Sequence, residues 1–208
     1  MPLYINLNES LDIKSMDNLY IKDKLIKSYR SIESIFNDDV LIFTIDLVSK
    51  EMAATLKNGG KILFCGNGLS ATVAQNMAAS LSGKISVDRP PLAAEALHSN
   101  PSFITGISGE YGFEEAYARM VLAVGNPGDM LFGIGGTKTH ASVLNALAMA
   151  GRIGMKTIGI SAPGDLNIKE FCGETIEAGS DDVQRTQECH LMIGNIICEI
   201  VESIIYKR

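Results

Sequence analysis

The chain has 208 residues, of which 46% are hydrophobic and 20% are charged, a composition that can bury a core and excludes general disorder. Its 18 basic and 24 acidic residues give a formal net charge of −6, so we expect no direct binding to nucleic acid. The sequence shows no apolar leader and no stretch that is apolar enough to span a membrane, so we expect a cytoplasmic protein that contacts no membrane.

The first part of the chain predicts a helical hairpin. Residues 1–15 show no hydrophobic period and are predicted to form a tail. Apolar side chains then recur at helical spacing in residues 16–36 and again from Leu41 to Leu56. Asn37-Asp38-Asp39 between them is typical of a turn that caps the second helix. We therefore expect one domain over residues 16–208 that opens with a hairpin at about 16–58.

After the hairpin, short apolar runs alternate with helical stretches. The candidate strands are residues 61–65, 93–97, 129–134, 156–160 and 174–178. The helical stretches among them are residues 70–81, about 139–152, and 183–206. Buried strands that alternate with helices are typical of βαβ units, so the pattern predicts an α/β fold with a parallel sheet covered on both faces.

Two glycine-rich loops each connect a predicted strand to a predicted helix, at residues 66–70 and 133–139. Glycine lets the backbone approach an anion, and the free N–H groups at the start of a helix point at it. Ser70, Thr137 and Thr139 offer hydroxyl donors, and Lys138 offers a positive charge. Neither loop matches the P-loop or the dinucleotide fingerprint, so a tight turn without a ligand remains an alternative.

The motifs in order resemble those of a known family. They are GNGLSATVAQNMAASLSG (66–83), RPPL (89–92), GEYGFEEAYARMV (109–121), GDMLFGIGGT (128–137) and QRTQECHLMIGNIICEIVE (184–202). Together they resemble a sugar isomerase (SIS) domain, and more narrowly the phosphoheptose isomerases. This resemblance implies a three-layer fold in which helices flank a five-stranded parallel sheet after the N-terminal hairpin. It also implies a homotetramer and the conversion of sedoheptulose 7-phosphate into D-glycero-D-manno-heptose 7-phosphate.

The resemblance implies a set of substrate contacts in this chain, which we expect to hold a phosphosugar. The set comprises Asn67, Gly68, Leu69, Ser70, Gly109, Glu110, Gly135, Gly136, Thr137, Thr139, His140 and Gln187.

The catalytic and zinc positions of the family are replaced here. Asn76 and Ser80 stand where the isomerases have His and Glu, and Asn195 stands in place of the second His, whereas Gln187 is retained. Amide and hydroxyl side chains do not titrate near pH 7, so they cannot move the protons of an aldose–ketose isomerisation. A lone Gln does not hold the zinc that some family members contain, and no cofactor is expected. We therefore expect weak or absent isomerase activity.

Two alternatives stay open at this point. Glu110 or His140 is a candidate replacement acid or base, in which case the chain is an active enzyme with an altered substrate. The chain also resembles the DnaA initiator-associating proteins, at residues 78–80 and at Asn195. That likeness implies a non-catalytic adapter with a protein partner.

Overall fold

The computed structural model describes residues 18–206 and opens with two long helices. Helices α1 (Asn18–Phe36) and α2 (Asp39–Lys57) form the predicted hairpin. Asp38 is the N-cap of α2, and its carboxylate accepts a hydrogen bond from the Leu41 amide at 2.9 Å. The predicted tail at residues 1–15 lies outside the described residues.

The rest of the chain alternates between strands and helices. The elements are β1 (Ile62–Gly66), α3 (Leu69–Ser82), β2 (Ala94–Ala96), α4 (Pro101–Tyr111), α5 (Ala116–Val124), β3 (Met130–Ile134), α6 (Ala141–Arg152), β4 (Lys156–Ser161), α7 (Leu166–Lys169), β5 (Glu174–Glu177) and α8 (Val183–Ile205). Short 3₁₀ turns at Leu97–Ser99 and Phe113–Glu115 precede α4 and α5. None of the helices within residues 18–206 has the length and apolarity needed to cross a membrane.

The five strands form one parallel sheet in the order β2-β1-β3-β4-β5, which confirms the predicted fold class. The chain leaves β1 to build β2 on one side of it and then returns to build β3 on the other. The order of the strands therefore reverses between β1 and β3. In open parallel sheets, ligands bind beyond the carboxyl ends of the strands at such a reversal.

Two apolar layers cover the sheet on opposite faces. On one face α2, α3 and α8 pack against side chains such as Phe64 and Phe132. On the other face α5 and α6 pack against Leu63, Cys65 and Leu131. Because α3 follows β1 on the first face and α6 follows β3 on the second, the loops that lead into these helices diverge and leave a crevice at the reversal.

A buried ion pair connects α3 to α8. The Arg89 Nε donates to the Glu202 Oε1 at 2.6 Å, with 1% and 4% of the two side chains exposed. Arg89 also donates to the carbonyls of Ser80 and Leu81 at 3.0 and 2.9 Å, near the end of α3. Burial would raise the pKa of Glu202, but its hydrogen bonds from Arg89 and Ser86 outweigh burial and lower the pKa to about 2. The arginine of the RPPL motif therefore holds the two helices in register.

Candidate functional site

The first glycine loop makes the turn from β1 into α3. A Cβ on Gly66 would lie 2.7 Å from the carbonyl carbon of Ser70, so the loop folds back tightly onto the first turn of α3. Gly68 has φ +55° and ψ −122°, a backbone conformation that residues with a Cβ rarely adopt. The glycines are therefore required by the geometry of the turn itself.

Both loops present backbone N–H groups that have no backbone acceptor among residues 18–206. In the first loop these are the amides of Gly68 and Leu69, and in the second they are the amides of Gly136, Thr137 and Lys138. Gly68, Leu69, Thr137 and Lys138 are exposed. Unpaired amides attract an anion, and in the first loop, which leads directly into α3, the helix dipole adds to the individual N–H dipoles.

Hydrogen bonds join the first loop to the second. The Ser70 hydroxyl donates to the Gly135 carbonyl at 2.8 Å, and the Asn67 side-chain amide donates to the Ser142 hydroxyl at 2.7 Å. The Oδ1 of Asn67 is buried and has no hydrogen-bond partner in the part of the chain that the structure describes. Because the Ser70 hydroxyl donates its one hydrogen bond to the Gly135 carbonyl, its oxygen can only accept a further hydrogen bond, for example from a ligand.

Thr139 has a structural partner in place of the ligand that we expected it to bind. Its backbone N–H and its hydroxyl both donate to the Asp165 carboxylate at 2.6 Å, and both residues are buried. Helix α6 begins at Ala141 with His140 as its N-cap, slightly later than the predicted start at about residue 139. The hydroxyl of Thr139 is therefore committed to the scaffold, whereas that of Thr137 remains exposed.

A small cavity of about 30 Å³ lies between the two loops and α8. Six of the predicted contacts line it: Leu69, Ser70, Gly135, Gly136, Thr137 and Gln187. The Gln187 side chain donates to the Leu69 carbonyl at 3.5 Å, which connects α8 to the first loop. Val73, Val183, Thr186 and His190 complete the lining. The cavity has room for about one water-sized group, so a larger ligand would lie along the open crevice above it.

The two candidate replacement groups, Glu110 and His140, do not line this cavity. Glu110, with Gly109 beside it, is exposed in the last turn of α4 and is not among the residues that line the cavity. His140 is exposed at the N-cap of α6, at the end of the second loop. Neither His140 nor Glu110 is therefore among the residues that line the cavity, although His140 directly follows the second loop.

The α3–α8 seam, which we define as Asn76, Ser80, Gln187 and Asn195, extends from the cavity along two packed helices. The Asn76 side chain donates to the Oδ1 of Asn195 at 2.7 Å. Zinc in proteins is held by thiolate, imidazole and carboxylate groups, and the seam offers only amides and a hydroxyl. Within residues 18–206 no three His, Cys, Asp or Glu residues cluster as metal ligands do. The residues of the seam therefore do not fit the zinc that the resemblance implies.

Two further histidines lie near the carboxyl edge of the sheet. His190 is buried, and one of its ring nitrogens lies 3.0 Å from the Ala178 carbonyl. Burial lowers the pKa of His190, so its ring is neutral at pH 7. His98 follows β2, and burial lowers its pKa as well. The hydrogen bond fixes the His190 ring as part of the packed lining.

Sequence reasoning missed the residues that hold the loops from behind. Asp165, Ser142 and Tyr117 bond to Thr139, Asn67 and the Gly66 carbonyl respectively. Asp165 sits before a four-residue helix and Ser142 in a helical stretch, where a polar side chain is ordinary. No local spacing pattern marks these partners, because each acts across a large separation in the chain.

Comparison with known proteins gives a consistent result. The family model described as SIS domain matches residues 30–162. A phosphoheptose isomerase of Akkermansia muciniphila is 33% identical over 190 residues, which cover 90% of this chain and 97% of that protein.

Solved structures agree with the sequence comparison. A phosphoheptose isomerase from Francisella tularensis superposes with a TM-score of 0.83 at 29% identity, covering 88% of this chain and 97% of that one. A phosphoheptose isomerase from Neisseria gonorrhoeae gives a TM-score of 0.80 at 28% identity, covering 89% of this chain and 98% of that one.

Proposed function

Since the chain belongs to the phosphoheptose isomerase family of SIS-domain proteins, we propose that it binds a heptose phosphate at the two glycine loops and isomerises it weakly or not at all. The observation that carries the binding half of this proposal is that two loops with unpaired amides line one cavity. The sugar of the family, sedoheptulose 7-phosphate, is the first ligand to test.

The loops would hold the phosphate mainly through their backbone. Gly68 and Leu69 from one side, and Gly136 and Thr137 from the other, offer N–H groups to phosphate oxygens, and the Thr137 hydroxyl adds a donor. At the first loop, which leads directly into α3, each anionic contact contributes about 0.3–1 kcal/mol, and up to about 2 kcal/mol when partly buried. Gln187, which lines the cavity from α8, would contact the sugar.

The seam would supply little of the chemistry of isomerisation. Moving a proton between adjacent carbons needs a base beside the substrate carbon and a group that handles the oxygen protons, each worth about 10²–10⁴-fold in rate. Asn76, Ser80 and Asn195 cannot titrate in the required range, and the first and last already bond to each other. If the chain is instead an active enzyme with an altered substrate, His140 is the candidate acid or base, and substituting it would test that alternative.

The surface of the hairpin supports a homo-oligomer, which we propose is the tetramer of the family. Phe36 and Val40 are each 76% exposed, and Leu19 and Phe43 are 73% and 65% exposed. A cluster of exposed apolar side chains of this kind is typical of a protein–protein interface. The four cysteines are free thiols, which supports a place in the cytoplasm, where thiols stay reduced.

The test measures binding and turnover separately. We expect sedoheptulose 7-phosphate to raise the melting temperature of the protein, because a ligand at 100 times its Kd stabilises by about 2.7 kcal/mol. Thr137→Ala should weaken that binding severalfold, while Thr44→Ala on α2 should not. No product should accumulate at an ordinary enzymatic rate, with or without added zinc. Turnover at such a rate would overturn the inactive assignment, and the absence of any shift with heptose phosphates would overturn the binding site.

A second candidate function is a non-catalytic adapter that binds a protein partner. The neutral Asn76–Asn195 pair supports it, because an adapter needs no catalytic acid or base at this position. A purified protein that captures a partner and binds no phosphosugar would support this function over the first.

A further inference from the structure

We propose that Tyr117 is a positioning residue, whose hydroxyl fixes the Gly66 carbonyl and thereby holds the first glycine loop ready for phosphate. The inference rests on the proposed function, because it assigns a role within that same site. Tyr117 itself would touch no ligand and would act through the backbone of the loop.

The geometry places this side chain behind the loop. Tyr117 lies on α5, is 2% exposed, and donates from its hydroxyl to the Gly66 carbonyl at 2.8 Å, across a separation of 51 residues. Its ring packs edge-on against Phe113 with centroids 5.8 Å apart. Helix α5 belongs to the face of the sheet opposite α3, so the bond reaches the turn from the side away from the helix that follows it.

The turn needs a restraint of this kind because of its composition. Gly66 is the last residue of β1, and Gly68, two residues later, has a positive φ that glycine adopts without strain. Glycine also admits many other conformations, so the fold must select the observed one, in which the Gly68 and Leu69 amides donate to no backbone carbonyl of residues 18–206. The bond from Tyr117 fixes the carbonyl before the turn, and the Asn67–Ser142 bond fixes the side chain within it.

The hydroxyl is suited to act as a permanent donor. Burial raises the pKa of Tyr117 to about 12, so its proton stays in place at any physiological pH. A buried carbonyl that loses its donor must either stay unsatisfied or move toward another donor. Movement of the Gly66 carbonyl rotates the peptide plane that it shares with the Asn67 amide.

The variant Tyr117→Phe removes the hydroxyl and keeps the ring against Phe113. We expect it to weaken binding of sedoheptulose 7-phosphate about three- to tenfold, and inorganic phosphate by a similar factor. In the ligand-free protein, the amide resonances of Gly68 and Leu69 should shift in a two-dimensional NMR spectrum. Neither change is expected from lost stability alone.

A matched control removes a buried hydroxyl of the same kind far from the loops. The Ser49 hydroxyl on α2 donates to the Ile45 carbonyl at 2.7 Å, and Ser49 is fully buried. Ser49→Ala should leave both the Kd and the loop resonances unchanged.

The outcomes separate this inference from the proposed function. If both variants lose only stability, with equal Kd and unshifted loop amides, Tyr117 is a plain core residue and the inference is overturned. If the wild type binds no phosphate compound, the proposed function fails, and the Gly68 and Leu69 resonances still decide whether Tyr117 sets the turn. Should Tyr117→Phe fail to fold, the wild-type hydroxyl proton decides: slow exchange with solvent supports the bond, and fast exchange overturns it.

Discussion

The two glycine loops and the α3–α8 seam lie side by side, but the loops present backbone groups and the seam presents side chains. The loops present backbone amides, whose positions depend on glycine conformations and on partners such as Asp165 and Ser142. The seam presents side chains, and there Asn76 bonds to Asn195 with no titratable group between them. A point substitution removes side-chain chemistry directly, whereas it leaves backbone donors in place. Binding and catalysis in one fold can therefore be lost independently.

The largest expected effect comes from giving the seam the groups that it lacks. The triple variant Asn76→His, Ser80→Glu, Asn195→His, with Gln187 unchanged, should bind about one Zn²⁺ per chain, measured by calorimetry. Any isomerase activity should then rise by about 10²–10⁴-fold for each functional group introduced. A control with Gln75→His and Ile196→His, exposed positions beside the seam, should bind no such ion. Equal zinc binding by the two variants would show that the seam does not differ from ordinary surface.

The next largest effect is expected at the buried Arg89–Glu202 ion pair, which holds α3 and α8 together. Arg89→Ala leaves the Glu202 carboxylate buried without its partner, so the free energy of unfolding should fall by about 3–5 kcal/mol in denaturant titrations. Lys50→Ala, which breaks the exposed Lys50–Asp46 pair, should cost at most about 1 kcal/mol.

The same ion pair predicts that the free energy of unfolding depends on pH. The folded pKa of Glu202 lies below its ordinary value of 4.5, at about 2, so its contribution to stability is complete above pH 4.5 and is lost as the pH falls toward 2. The difference between wild type and Arg89→Ala should therefore narrow across that interval. A constant difference would assign the loss to packing alone.

A smaller effect is expected in the first loop. Gly68→Ala places a Cβ on a backbone with φ +55°, which should destabilise the protein by about 1–3 kcal/mol and weaken phosphosugar binding. Gly151→Ala in α6 is the control, because a Cβ there meets no atom within 4 Å and the helix should gain about 0.5–1 kcal/mol. Equal stability of Gly68→Ala and wild type would mean that the turn relaxes without cost.

The smallest effect is expected from the amide pair of the seam. Asn195 is exposed, so Asn195→Ala should cost about 1 kcal/mol or less and leave the Kd of the phosphosugar unchanged. A double-mutant cycle with Asn76→Ala measures the coupling between the two amides. A severalfold change in Kd would place the pair in contact with the ligand and remove the distinction between loops and seam.

Much of the fold follows from local patterns in the sequence. The predicted strand at 129–134 is observed as Met130–Ile134 and that at 156–160 as Lys156–Ser161, because continuous apolar runs bounded by glycine mark buried parallel strands. Helix α4 was not predicted, since Gly106 and Gly109 interrupt its helical pattern.

The sequence predicted the two loops, but not the residues that hold them in place. Glycines next to a strand indicate where the backbone turns, and six of the expected contacts do line one cavity. The use of each hydroxyl could not be predicted in the same way. Thr139 offers a donor in the sequence, but its partner Asp165 lies 26 residues later, and Asn67 reaches Ser142 across 75 residues. Such pairings depend on the tertiary arrangement and carry no local signal.

The pairing of Arg89 with Glu202 joins positions 113 residues apart, and α8 packs against both α2 and α3. During synthesis α2 and α3 leave the ribosome before α8, so the apolar faces that α8 covers stay exposed until it has been made. Contacts between residues so far apart in the sequence form late in folding, because bringing them together costs the entropy of the chain between them. A nascent chain of this protein therefore exposes the apolar faces of α2 and α3 until α8 has been synthesised, and chaperones would be needed in that interval.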